Sequence, residues 1–258
     1  MGKVIAVCTS ERKGLQKSDV KSAHFTTEWG IDGDAHAGKW HRQISLLSAD
    51  KIAAFNEKGA NVIPGAFGEN LVVEGFDFRS LPVGTLLRCG DVLLEMTQIG
   101  KQCHSHCEIY KKMGDCIMPR EGVFARVIEP GTITVGDEMV IEKREGRFPW
   151  QTAIITLSDK GSAGQRKDES GPAIAKRLAD SGYDVVEELL IPDDERVLKQ
   201  ELMRLCDQRQ LDLILVTGGA GSAAQEAMYA VSDKPAPSIA SAVIRGKTLI
   251  AADQEEHM

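Results

Sequence analysis

Leu211-Asp212-Leu213-Ile214-Leu215-Val216-Thr217-Gly218-Gly219-Ala220-Gly221 is a nearly unbroken apolar run that ends in a glycine-rich turn. Polar alternation marks a half-exposed strand; its absence here marks one covered on both faces, as in a parallel sheet. Glycines just beyond such a strand let backbone N–H groups approach a phosphate at the carboxyl end of the sheet, where ligands of open α/β folds bind. Alone, Gly-Gly-x-Gly is a weak signal.

Reading back from this run strengthens the α/β assignment. A strand is expected at Ala153–Leu157, a helix at Gly171–Ser181, a strand at Tyr183–Leu189, a helix at Asp194–Gln208 and the apolar strand at Leu211–Thr217. That βαβαβ order opens a doubly wound parallel sheet. Upstream lies a charged stretch closed by a proline, Glu142-Lys143-Arg144-Glu145-Gly146-Arg147-Phe148-Pro149-Trp150. It divides the chain into residues 1–146 and 153–258, with 147–152 as linker.

Before the linker the pattern is different. Short β-type runs at Gln43–Leu47, Asn70–Val73, Leu86–Cys89, Val92–Thr97, Thr132–Val135 and Met139–Glu142 are separated by Gly-Asp and Pro-Val-Gly turns. The first domain is therefore expected to be α+β, dominated by an antiparallel, barrel-like sheet. Its clearest helix is Ser48–Lys58, capped by Ser48 and carrying an apolar stripe of Ile52, Ala53 and Phe55.

The 258 residues suffice for two domains, each with its own core. No apolar run approaches the roughly 20 residues that cross a bilayer, and Val4-Ile5-Ala6-Val7-Cys8 is too short for a secretory signal. With six cysteines and no export signal, the expected location is the reducing cytoplasm, where thiols serve chemistry or metals more often than disulfides. The net charge of −7 is divided as 19 basic and 20 acidic side chains in 1–150, and 12 and 18 in 151–258. Neither half has the basic field of a nucleic-acid binder, and an anionic ligand would need local donors.

The densest reactive stretch is Gly100-Lys101-Gln102-Cys103-His104-Ser105-His106-Cys107, followed by Cys116, Arg120 and Arg126. A thiolate is the nucleophile, and cations beside it lower a thiol's pKa from about 8.5 toward neutrality. A second cluster runs from Gly30 to Arg42, with Asp32, Asp34, His36, His41 and Arg42 on a glycine-rich loop before a strand. Arg42, Arg120 and Arg126 are each able to hold a phosphate by bidentate bonds. Other readings stay open: a structural zinc site built on Cys103, Cys107, Cys116 and the histidines between; Cys107 and Cys116 as buried small hydrophobes, the expected fate of Cys8 and Cys89; Asp32 and Asp34 as turn formers; Asn70 as a cap for backbone groups.

Gly33-Asp34-Ala35-His36-Ala37-Gly38 with His41-Arg42-Gln43-Ile44-Ser45-Leu46, then Gly65-Ala66-Phe67-Gly68-Glu69-Asn70-Leu71, then Gly100-Lys101-Gln102-Cys103-His104 resemble the successive motifs of MOSC domains, the β-rich domains related to the C-terminus of molybdenum-cofactor sulfurases. The resemblance spans about 145 residues. It implies a pocket for the molybdenum cofactor or a related pterin. In it, Cys103 carries sulfur as a persulfide or meets the metal, and Asp34, His36, Arg42, Asn70, Lys101, His104, Arg120 and Arg126 are the ligand contacts. It also implies a PLP-dependent sulfur donor and a molybdoenzyme acceptor as partners.

In the second domain Ser158-Asp159-Lys160-Gly161-Ser162-Ala163-Gly164, Asp168 with Gly171-Pro172, Ile191-Pro192-Asp193-Asp194 and Thr217-Gly218-Gly219-Ala220-Gly221 resemble molybdopterin adenylyltransferases of the MogA/MoaB kind, which transfer AMP from Mg-ATP to molybdopterin. By motif, Asp193 corresponds to an acidic active-site residue, and Gly218, Gly219 and Gly221 to the phosphate-contacting turn. Helix capping is the other role open to Asp193. The family's second catalytic aspartate and its Thr-Pro have no counterpart, because Gly221 is followed by Ser222-Ala223-Ala224-Gln225-Glu226. The Asn-Leu-Pro-Gly loop expected after Ser238–Ile250 is absent as well. Nucleotidyl transfer depends on placed carboxylates and cations, so little or no adenylyltransferase activity is expected. This half is then expected to bind pterin weakly, to act as a dimer or trimer surface in a homo-oligomer, or to fold only in part. Taken together, the expected function is sulfur transfer or carriage on the molybdenum cofactor; the alternatives are a storage or escort module without chemistry, and a zinc-stabilised scaffold.

Overall fold

The computed structural model describes residues 1–103, 107–143, 149–219, 223–232, 241–244 and 247–252. The chain divides into two compact units, Met1–Glu145 and Gly146–Met258. The first unit runs β1 (Gly2–Thr9), β2 (Ser18–Asp19), β3 (Ser22–Thr26), β4 (Gly30–Ile31), β5 (Ile44–Ser48), α1 (Ala49–Glu57), β6 (Leu71–Glu74), β7 (Leu86–Cys89), β8 (Val92–Ile99), α2 (Glu108–Met113), α3 (Met118–Glu121), β9 (Val123–Glu129), β10 (Gly131–Thr134) and β11 (Glu138–Glu142).

Seven of these strands close into a barrel in the order β11-β7-β8-β9-β5-β6-β1, with β1 pairing back to β11 and β2 added to β1. Closure leaves those seven strands no free edge. The ring is antiparallel except at β5–β6, which pair in parallel. A small sheet, β10-β3-β4, lies beside it in sequence. Inward-facing residues such as Val4, Ile44, Leu46, Leu71, Val73, Leu94, Met96, Val123, Ala125 and Val127 fill the interior. Their neighbours Ala6, Cys8, Leu47, Val72 and Phe124 point outward into a second cluster with Ile52 and Phe55 of α1 and Met118 of α3. Both faces of β5 are therefore covered, which explains why Ile44–Ser48 is buried throughout. In α1 the apolar stripe is narrower than expected. Ile52 and Phe55 are buried but Ala53 is exposed, and Ser48 occupies the cap position without a side-chain cap hydrogen bond.

The second unit comprises β12 (Trp150–Leu157), α4 (Asp159–Ser162), α5 (Ser170–Asp180), β13 (Tyr183–Ile191), α6 (Glu195–Met203), β14 (Leu213–Gly218), α7 (Ala223–Val231), β15 (Ser241–Ile244) and β16 (Lys247–Ala252). Its sheet order is β13-β12-β14-β16-β15, parallel except for β15–β16. Alternate residues of β12, Ala153, Ile155 and Leu157, pack with Leu198 and Leu202 of α6 and with Ala224, Ala227 and Met228 of α7. On the opposite face α5 approaches Thr156 through Gly171. Helices on both faces and an interior β12 flanked by β13 and β14 make this a shortened doubly wound α/β domain. The expected helix Asp194–Gln208 is two pieces, since α6 gives way to a π turn at Arg204–Gln208.

Candidate functional site

In the first unit the glycine-rich loop is anchored by a buried charge pair. Lys17 Nζ donates to Asp34 Oδ2 at 2.6 Å, and both side chains are 1% exposed. Asp34 Oδ1 accepts from the Ser10 N–H at 3.0 Å and Oδ2 from Asn70 Nδ2 at 3.1 Å. Burial opposes the Asp34 carboxylate, but the Lys17 hydrogen bond and charge, with those backbone and amide donors, hold its pKa below the ordinary value. Asn70 also donates to the Cys8 carbonyl and accepts from the Ser45 N–H and hydroxyl. Thus Asp34 and Asn70 each fasten segments distant in sequence, and the backbone-capping reading of Asn70 describes its bonds. Gly65 permits Lys17 to lie there: at φ +89° a Cβ would stand 2.2 Å from the Lys17 carbonyl oxygen. Glu69, fully buried, accepts from the Gly65 and Phe67 N–H groups and fixes that loop.

His36 emerges from this network. Its Nδ1 lies 3.9 Å from Asp34 Oδ2 and is buried without a hydrogen-bond partner among the described residues, although the ring is partly exposed. Burial lowers its pKa, helped by the charges of Lys17, Lys13 and Lys101 and opposed by Asp34. Ser10 Oγ, on the residue that bonds Asp34, is likewise buried without a partner among the described residues. Arg42 lies with its guanidinium carbon 4.7 Å from the Trp40 ring centre and 5.6 Å from that of Phe124. The Trp40 indole is pinned by its N–H to the His36 carbonyl at 3.1 Å.

The loop after β8 meets this cluster. Gln98 bonds His41 Nε2 at 2.9 Å through Oε1 and donates to the Gly100 carbonyl at 2.7 Å through Nε2. Cys103 and Cys107 are exposed thiols; Cys8, Cys89, Cys116 and Cys206 are buried. Burial pushes the Cys116 thiol up to about 11, with further contributions from the charges of Cys107 and Cys103 and an opposing one from Lys101. Lys101 thus acts electrostatically on both His36 and the buried Cys116 thiol. His104, with Ser105 and His106, lies outside the described residues. Among the described residues no three His, Cys, Asp or Glu side chains form a group that holds a metal ion.

Two of the expected phosphate-binding arginines are committed elsewhere. Arg120 makes a bidentate pair with Asp115 at 2.8 and 2.9 Å. Arg126 bonds Glu95 at 2.7 Å, its register partner across β8–β9, and lies 3.8 Å from Glu28. Ser10, Lys13 and Lys17 had no signal in the sequence beyond a basic Arg12-Lys13 step, and it was the fold that brought them to His36.

In the second unit the carboxyl ends of β12, β13 and β14 converge. Asp193, after β13, donates its N–H to Asp159 Oδ1 at 3.0 Å. Its carboxylate abuts the glycine turn after β14, where a Cβ on Gly219 would stand 3.1 Å from Asp193 Oδ1. Gly218 and Gly219 have φ +79° and +83°, and a Cβ on Gly218 would stand 2.5 Å from the Leu157 carbonyl oxygen. Gly221 lies outside the described residues. The helix-capping role belongs to Asp194, which accepts from the Val197 N–H at the start of α6. Asp168 accepts from the Ser170 and Gly171 N–H groups at the start of α5. The turn and Asp193 therefore flank the β12/β14 crevice, where strand order reverses and ligands of this architecture bind.

Residues 33–140 match the family model described as MOSC domain, and residues 153–242 match that described as probable molybdopterin binding domain. The chain thus joins a region that matches the MOSC family to one that matches the probable molybdopterin-binding family. More particularly, it is 34% identical over 90 residues to the molybdopterin adenylyltransferase of Haemophilus influenzae, covering 33% of this chain and 46% of that protein. The chain spans about half the length of the curated relatives first matched. Among solved structures, the YUAD protein from Bacillus subtilis is 20% identical with a TM-score of 0.46, covering 54% of this chain and 94% of that one. The molybdopterin biosynthesis enzyme MoaB from Thermus thermophilus is 26% identical with a TM-score of 0.38, covering 41% and 82%. Both matched families point the chain toward molybdenum cofactor biosynthesis or maturation. No helix among the described residues is long and apolar enough to cross a membrane.

Proposed function

We propose that the first domain binds the molybdenum cofactor or a pterin precursor and that Cys103 carries sulfur to it as a persulfide. The observation that carries this reading is the exposure of the Cys103 thiol on a loop whose Lys101 also acts on His36, while four of the six cysteines are buried. A carrier thiol must be reached by a donor and then by an acceptor. The donor set fits an anionic pterin. His36 Nδ1 and Ser10 Oγ are buried polar atoms in want of a partner among the described residues, and Lys13 and Lys101 supply positive charge around them. Since Arg120 and Arg126 are paired with carboxylates, the phosphate of the guest falls to this end of the loop. When bound, the molybdenum centre would supply a soft acceptor for the sulfur.

The second domain, in this reading, docks pterin at the Gly218-Gly219 turn and Asp193 without transferring AMP. Supporting this, α7 begins at Ala223 and its single carboxylate, Glu226, is exposed. A sulfane sulfur donor of the PLP-dependent class and a molybdoenzyme acceptor complete the scheme.

The test is mass analysis of the reduced protein after exposure to one equivalent of polysulfide. Wild type gains a sulfur on the peptide bearing Cys103, and Cys103→Ser gains none. A wild-type protein that binds pterin yet never takes up sulfur is an escort, and the carrier reading fails.

A further inference from the structure

Resting on the pterin-binding reading of the first domain, we propose that Trp40 is the platform on which the flat bicyclic ring of the guest stacks, so that this indole selects a planar heteroaromatic guest over a plain anion. Trp40 is 39% exposed. A single exposed apolar side chain is ordinary on a protein surface. What sets this one apart is that its ring is held in a fixed plane. The indole N–H donates to the His36 carbonyl at 3.1 Å, and the backbone N–H of Trp40 bonds the Gly38 carbonyl at 3.0 Å. One face carries the Arg42 guanidinium, whose central carbon is 4.7 Å from the ring centre. That guanidinium lies 5.6 Å from the centre of Phe124, a buried ring of the core cluster beneath α1. Indole, guanidinium and phenyl thus form a stack rooted in the core, and the indole face turned away from Arg42 is its outer end.

A second observation places a guest beside that face. Ser10 Oγ, on a residue 8% exposed, and His36 Nδ1 are buried polar atoms with no hydrogen-bond partner among the described residues. Both belong to the loop that carries Trp40. His36 supplies the carbonyl that holds the indole, and the Ala35 N–H bonds the Ser10 carbonyl at 2.8 Å. A rigid aromatic surface next to a few polar atoms awaiting partners is the composition of a small-molecule site.

The two parts divide the recognition. The polar atoms suit the anionic and hydrogen-bonding edge of the guest, while stacking rewards only a guest with a π face. A base-like ring on an aromatic side chain gains affinity of about tenfold or more, and a ring already fixed in place loses little freedom on binding. A tetrahedral oxyanion gains nothing from the indole. Trp29, 44% exposed, offers the internal comparison: it is tied to the same loop through its backbone, its carbonyl accepting from the Gly38 N–H at 2.7 Å.

The experiment titrates full-length protein with pterin-6-carboxylate, taking the affinity from calorimetry and the contact from the fluorescence of the probe, which an indole in van der Waals contact quenches by electron donation. Wild type is expected to bind and quench. Trp40→Ala should bind at least about tenfold more weakly. Trp40→Phe keeps a ring for Arg42 and for the probe, so its affinity should stay within about threefold of wild type while most of the quenching disappears. Trp29→Ala should match wild type in both readings. Thermal unfolding shows which variants are folded, and Trp40→Phe carries the test if Trp40→Ala is not. A folded Trp40→Ala that binds like wild type, full quenching in Trp40→Phe, or equal losses in Trp29→Ala and Trp40→Ala overturns the platform and leaves pterin binding standing. If wild type does not bind the probe, the pterin reading falls and the platform falls with it.

Discussion

Lys17 Nζ and Asp34 Oδ2 stand 2.6 Å apart with both side chains 1% exposed, so a full ion pair is sealed beneath the loop that presents His36. Breaking such a pair from one side leaves an uncompensated buried charge. Lys17→Met is expected to cost about 3–5 kcal/mol. The double variant Lys17→Met/Asp34→Asn should lose clearly less than the sum of the single changes. Urea unfolding of the four proteins in a mutant cycle checks this, and strict additivity would deny the coupling.

The same network sets an acid limb. Folded His36 holds its proton less readily than the unfolded chain, whose ordinary value is 6.5. Its contribution is undiminished above that value and stability falls as the pH drops through it. Asp34, depressed below 3.8, adds stability that is complete above that value and is lost only as pH falls through its lower folded value. Urea midpoints of His36→Gln should be flatter than wild type between about pH 7 and 5. Unchanged slopes there would mean that His36 is not perturbed.

Thiol accessibility divides the cysteines. In native protein Cys103 and Cys107 should react promptly with a colorimetric disulfide reagent, while Cys8, whose thiol burial pushes up to about 12, and Cys116 react only on unfolding. Peptide mapping of the labelled protein identifies the sites. Prompt native labelling of Cys116 would contradict its burial.

Asp193 and Asp194 are adjacent in sequence but differ in what they support. Asp194→Ala removes the α6 cap and should cost about 1 kcal/mol. Asp193→Ala should leave α6 intact and weaken pterin binding to the second domain. Calorimetric titration together with thermal unfolding separates the two effects.

Gly65→Ala places a methyl against the Lys17 carbonyl in backbone space that alanine avoids, so destabilisation of more than about 1 kcal/mol is expected. Gly33→Ala, at φ +78° with open space around it, meets only the backbone cost. Comparing their denaturation midpoints isolates the clash from the strain.

Much of this architecture was legible because local pattern and burial agree. Leu86–Cys89 and the βαβαβ order of the second domain follow from apolar runs between turn residues, and β5 reads as apolar because α1 and the interior cover its two faces. Ala53 deceived because a helical stripe predicts a face, not its width. The site was less legible. His36 and Cys103 stand out by chemistry, but no local pattern reveals that a lysine in the polar stretch Glu11–Ser18 is buried. That fact depends on Gly65 and Asp34, which meet Lys17 only in three dimensions. Arg126 was read as a phosphate ligand because its partner Glu95 lies 31 positions away, and only strand register unites them.

The barrel's seam between β1 and β11 is made by two residue pairs, Gly2 with Met139 and Lys3 with Glu138, continued by the Val4 N–H on the Asp137 carbonyl and the Gly136 N–H on the Val4 carbonyl. During synthesis β1 can pair with β6 long before β11 has left the ribosome, so the ring must latch last and across the longest loop in the domain. Such a latch is also the first place to unzip. Amides along β11 should exchange with heavy water sooner than those of β5 and β6, giving the closed ring a single preferred point of breathing.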